Sequence, residues 1–66
     1  MTATINGKIH QFDGELSVTE LLQQLELSTD GTAVALNNAV VLRKDHAHTT
    51  IQDGDTVEII RAVAGG

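Results

Sequence analysis

Apolar and polar positions change their spacing along the chain, and each change marks an element. "TATI" and "KIHQF" flank Asn6-Gly7, a dipeptide that readily takes positive φ, so the chain is expected to open with a β-hairpin. Simple two-residue pairing sets Ile5 opposite Lys8 and Thr4 opposite Ile9, which divides the isoleucines between two faces. A bulge or a longer loop would reunite them, and the residues alone leave the register open. In "DGELSVTELLQQLEL" the spacing lengthens to that of a helix. Val18, Leu21, Leu22 and Leu25 recur at i, i+3, i+4 and i+7 and form one stripe. Ser17 and Glu20 have the spacing of a capping box, with Leu16 and Leu21 as the accompanying hydrophobic staple. The helix is predicted from about Val18 to Glu26 and stops before "STDG".

Beyond Gly31 the period shortens again. "TAVALNNAVVL" holds two apolar runs around Asn37-Asn38, residues that tolerate the left-handed conformations of a tight turn, and reads as a third strand and a short fourth. "RKDHAHTT" is polar and reads as loop. "IQDGDTVEIIRAV" supplies Ile51, a turn at Asp53-Gly54-Asp55 and a last strand in which Val57 and Ile59 alternate with Thr56 and Glu58. A helix placed after an opening hairpin must cross the sheet, and the last strand of a compact sheet is often central. The expected fold is α+β: a β-grasp, or ubiquitin-like, mixed sheet of roughly four to five strands with one main helix on one face. Residues 1–62 make the domain and residues 63–66 a tail.

Size and charge narrow the function classes. At 66 residues a single core supplies only roughly 3–5 kcal/mol of net stability, and without cysteine neither a disulfide nor a thiolate metal site adds to it. The net charge is −5, with nine acidic side chains against Lys8, Arg43, Lys44 and Arg61. Such a surface repels phosphate backbones, which argues against nucleic acid, and suits a basic protein partner. No signal core opens the chain, and no apolar run approaches the ~18 residues of a membrane span. No membrane association and a cytoplasmic location are expected.

Side chains with chemistry of their own are scarce. His46 and His48 in "DHAH" lack a defined third and fourth ligand, so no metal is expected there and both histidines read as solvated polar residues. No nucleophile–base pair and no glycine-rich phosphate loop can be assembled, which argues against an enzyme. The carboxylates read as ordinary surface acids.

The remaining candidate is the end, "RAVAGG". Four extended residues, Val63, Ala64, Gly65 and Gly66, reach ~13 Å, enough to thread a narrow channel while the body docks outside. Glycine suits that passage because it has no Cβ to collide with the walls. A terminal carboxylate is ionised at neutral pH and acylates poorly until it is activated. Attack on the α-phosphate of ATP expels pyrophosphate and leaves a mixed anhydride at Gly66. A sulfur nucleophile, such as a persulfide on a partner's cysteine, then displaces AMP and leads to a thiocarboxylate. Strict alternation also sets Ile60 with Glu58 on the face away from the helix. Ile60, Ala62 and Arg61 then form a candidate docking patch for an activating enzyme, although one exposed isoleucine is also ordinary. Arg43 is a further candidate at its flank.

"ING", "SVTELLQQLEL", "AVALN", "VLR", "QDGDTVEIIRAV" and the closing "AGG", in this order and spacing, resemble the thiamine-biosynthesis sulfur carrier (ThiS-type) family of ubiquitin-like proteins. The resemblance implies that a ThiF-type enzyme adenylates Gly66, that sulfur comes from cysteine through a desulfurase, and that the thiocarboxylate feeds a ThiG-type thiazole synthase. It implies no cofactor on this chain, ATP and Mg belonging to the activating partner. Leu42 stands before Arg43 where family members often carry proline. Position 46 is often a bulky aromatic or a histidine in the family, which gives His46 a structural role. The nearest rival is the molybdopterin-synthase small subunit (MoaD-type), which often has prolines before its "AGG", whereas this chain has none. Protein-conjugating ubiquitin-like modifiers and a plain interaction module come next.

Overall fold

The structure is a computed structural model and describes residues 1–61. Strand β1 (Thr2–Ile5) turns directly into β2 (Lys8–Gln11). Ile5 pairs with Lys8 and Thr4 with Ile9. Asn6 at φ 49 and Gly7 at φ 84 form the two-residue left-handed turn that matches strand twist. No bulge reunites the isoleucines: Ile5 is in the core while Ile9 is 74% exposed on the opposite face. The turn chemistry fixes the register, and the register separates the side chains.

A two-residue strand, β3 (Leu16–Ser17), leads into helix α1 (Val18–Gln24). The predicted capping box is present. Glu20 N–H donates to Ser17 Oγ at 3.0 Å and Ser17 N–H to Glu20 Oε1 at 2.9 Å, satisfying backbone donors that a helix start leaves orphaned. Val18, Leu21 and Leu22 are fully buried and Leu25 is half-buried. The helix ends before the predicted Glu26. Glu26 N–H donates to Gln23 O and Leu27 N–H to Leu22 O, the paired bonds of a Schellman cap. Glu26 occupies the left-handed position of that cap at φ 60, without the glycine by which such an end is usually recognised.

Strands β4 (Thr32–Leu36) and β5 (Ala39–Val41) form the second hairpin, closed by Asn37 at φ 50 and Asn38 at φ 70. The segment "RKDHAHTT" is more structured than a polar loop. Arg43–Asp45 form a 3-10 turn, and His46 is buried at 2% exposure with Nε2 3.2 Å from Val41 O. The solvated reading therefore fails for His46 and holds for exposed His48. Backbone bonds hold the residue inside: His46 N–H donates to Arg43 O within the turn, and Thr19 N–H at the helix start donates to His46 O. Short β6 (Thr50–Ile51) pairs with β3, and β7 (Thr56–Arg61) is the last strand.

The main sheet runs β2-β1-β7-β4-β5. β7 lies in the middle, parallel to β1 and antiparallel to β4. This is the β-grasp arrangement, with a five-stranded mixed sheet and one helix. The core lies between them: Ala3, Ile5, Val34, Val57 and Ile59 from the sheet meet Val18, Leu21 and Leu22 from the helix, with Leu16 and Ile51 closing one end.

Candidate functional site

Strand β7 alternates as the sequence predicts, with Val57 and Ile59 buried and Thr56, Glu58 and Ile60 exposed. Registers extend that outward face across the sheet. Glu58 is opposite Ala35, which is opposite Val40, while Ile60 is opposite Ala33. Thr4 pairs with Thr56 on one side and Ile9 on the other. Ile9, Val40 and Ile60 are 74%, 75% and 66% exposed. The single helix covers the other face, so this face meets solvent as a shallow apolar surface with small alanines at its centre.

Two asparagines lock β7 in place from both sides. Pairing with β1 ends at Ile5 and Val57, but Asn6 continues it with its side chain. Ile59 N–H donates to Asn6 Oδ1 at 2.8 Å, and Asn6 Nδ2 donates to Ile59 O at 3.2 Å. On the other side Thr56 N–H donates to Asn37 Oδ1 at 2.9 Å and Asn37 Nδ2 to Asp55 Oδ1 at 3.0 Å. The turn residues thus serve twice, once through left-handed φ and once through their amides. Asp55 and Asp53 are also more than surface acids: Asp55 Oδ2 accepts from Gln52 N–H and Asp53 Oδ1 from Thr2 N–H.

Where β7 reaches its end, a shallow groove of about 320 Å³ opens, lined by Thr29, Gly31, Thr32, Ala33, Arg43 and Ile60. Arg43 therefore stands beside Ile60, a juxtaposition no spacing in the sequence reveals, and it is ion-paired with Asp30. Arg61 is opposite Thr32 and so has the opposite parity to Ile60 in the pleat. The structure brings Ile60 and Arg43 together and does not bring Arg61 onto the same face. The other predicted site residues, Ala62, Val63, Ala64, Gly65 and Gly66, lie outside the described residues. Among the described residues no group of three or more histidine, cysteine or acidic side chains is placed to hold a metal. None of their helices is long and apolar enough to cross a membrane.

A five-stranded mixed sheet with a central last strand and one helix defines the ubiquitin-like β-grasp class, and fold alone does not say what a member does. Comparisons with known proteins do. Residues 3–66 match the model of the ThiS family, and the chain belongs to that family. It is 35% identical over 66 residues to the sulfur carrier protein ThiS of Escherichia coli, covering the whole of both chains. It is also 32% identical to a thiazole synthase of Paramagnetospirillum magneticum, where the entire chain matches 20% of that protein. The crystal structure of a thiamine biosynthesis protein (ThiS) from Geobacter metallireducens superposes with a TM-score of 0.86 at 40% identity over the whole of both chains.

Proposed function

We propose that this chain carries sulfur for thiamine biosynthesis on the carboxylate of Gly66. The observation that carries the reading is its end-to-end match with the Escherichia coli sulfur carrier. In the proposed cycle a ThiF-type enzyme binds ATP and Mg and docks the body through the outward face at Ile60 and through Ala62, with Arg61 turned to the other side of the strand. Val63, Ala64 and Gly65 thread its channel. A Gly66 carboxylate oxygen attacks the α-phosphorus of ATP; the new P–O bond replaces the bond to pyrophosphate, which leaves. A persulfide fed by a cysteine desulfurase then attacks the carbonyl carbon and expels AMP. A thiol reductant cleaves the resulting S–S bond, leaving the thiocarboxylate, which thiazole synthase consumes. The whole-chain match inside a protein named thiazole synthase favours that acceptor over molybdopterin synthase.

Intact-mass analysis of the protein from sulfur-replete cells tests this reading. The expected species has one terminal oxygen replaced by sulfur. Deleting Gly66, or adding a residue after it, is expected to abolish both the adenylate and the sulfur adduct while leaving the unfolding midpoint unchanged. An unmodified carboxylate in cells with an active ThiF-type enzyme, or adenylation of the deletion variant, would overturn the proposal.

A further inference from the structure

Of the three asparagines only Asn6 precedes a glycine, and its side-chain amide is part of what holds the fold. Asn6 Oδ1 accepts from Ile59 N–H at 2.8 Å and Asn6 Nδ2 donates to Ile59 O at 3.2 Å, taking over where the backbone pairing of β1 with β7 ends at Ile5 and Val57. Asparagine is chemically labile, and its amide is attacked by the backbone nitrogen of the residue that follows. That nitrogen is most accessible in glycine, which has no Cβ to crowd the approach. Gly7 lies in open space: a Cβ built on it would meet no atom beyond its chain neighbours within 4 Å. Asn37 and Asn38 precede Asn38 and Ala39 instead, whose side chains hinder the same attack.

We propose that Asn6 is a site of spontaneous deamidation, gated by its own clamp on β7, whose product cannot close that clamp again. In the first step the Gly7 nitrogen bonds to Asn6 Cγ, the Cγ–Nδ2 bond breaks, and Nδ2 leaves as ammonia carrying the proton of the Gly7 N–H. Water then adds to one of the two carbonyls of the cyclic imide. Opening at Cγ leaves aspartate, and opening at the main-chain carbonyl leaves isoaspartate. Ring closure draws Cγ onto the chain and expels Nδ2, so both bonds to Ile59 are given up, and the folded state slows the reaction. Aspartate puts a carboxylate oxygen where Nδ2 donated, so two acceptors face each other at Ile59 O. Isoaspartate adds a backbone atom to a turn whose two-residue length sets Ile5 opposite Lys8. Either product adds a negative charge to a body already at −5. Because β7 is the central strand, loss of the clamp is felt in the middle of the sheet.

The test follows the full chain at mildly alkaline pH by intact mass and peptide mapping, in buffer and in urea above its unfolding midpoint. In urea the mass gain of an amide turned to an acid is expected at Asn6, about tenfold or more ahead of Asn37 and Asn38. Gly7→Ala in urea is expected to remove that lead. In buffer the Asn6 rate is expected to fall by about tenfold or more, the factor set by two hydrogen bonds that must first open. Leu21→Ala, which opens more often, is expected to approach the rate in urea. The deamidated fraction, separated from the unmodified chain by anion exchange, is expected to unfold at lower urea, its folding constant reduced by about tenfold. Asn6→Asp is expected to reproduce that shift. A mass gain located first at Asn37 or Asn38, or equal Asn6 rates in buffer and in urea, would overturn the inference. So would a deamidated fraction that unfolds at the midpoint of the unmodified chain.

Discussion

Removing the Asn6 side chain should loosen the last strand in its second half. Asn6→Ala loses two partly buried hydrogen bonds to the Ile59 backbone, worth about 0.5–1.5 kcal/mol each. It also forces an alanine to φ 49, at about 1–2 kcal/mol for a left-handed residue with a Cβ. Together these reach about 2–5 kcal/mol, against a whole-domain stability of roughly 3–5 kcal/mol, so the variant should be at the edge of unfolding. Asn6→Gly separates the two causes: glycine accepts the left-handed φ, so only the amide bonds are lost, and the cost should be about 1–3 kcal/mol. Urea unfolding gives the stabilities. Native-state hydrogen exchange at the Ile59 amide reads the bond itself, with faster exchange expected in both variants. If both variants unfold within about 0.5 kcal/mol of wild type and the Ile59 amide keeps its protection, the asparagine bridge is not what holds β7.

Two further substitutions probe the helix that backs the sheet. Glu26→Gly should stabilise the protein by about 0.5–1 kcal/mol, because it relieves the left-handed strain at the helix end; a lower urea midpoint would contradict the cap. Leu21→Ala removes a fully buried side chain at about 2–5 kcal/mol, enough to abolish the cooperative near-UV and urea transitions at room temperature. A variant that retains a wild-type transition would show that this stripe is not the centre of the core.

Much of the architecture was legible because the deciding signals are local. The capping box at Ser17 and Glu20, the i, i+3, i+4 stripe and the alternation in "TVEII" each depend on a few neighbouring residues, and each appears as expected. What was not legible depends on distant partners. Glu26 ends the helix through bonds that any residue's backbone makes, so its side chain gives no warning. His46 has a polar side chain and is buried where the 3-10 turn is bonded to the helix start, a contact with Thr19 that its local sequence does not announce. Asn6 and Asn37 announced their turns, but their amides act on a strand some twenty to fifty residues further along the chain. The groove that joins Arg43 to Ile60 exists only once β4 and β7 are paired.

The placement of Ile9 shows why the outward face matters. In a sheet with a single helix, core demand is satisfied on one face by Ile5, Val34, Val57 and Ile59, and core burial gives no reason to place isoleucine on the other, although its strand propensity suits it there. A bulge in the first hairpin would have brought Ile9 toward the core, yet Asn6-Gly7 enforces the two-residue register that turns it out. Val40 and Ile60 are turned out by the same strict pairing. Apolar side chains held outward on three different strands lower solubility and contribute little to folding. The net charge of −5 offsets the first effect by keeping copies of the body apart. A sheet surface so arranged is kept from its own kind by charge while its apolar positions stay uncovered.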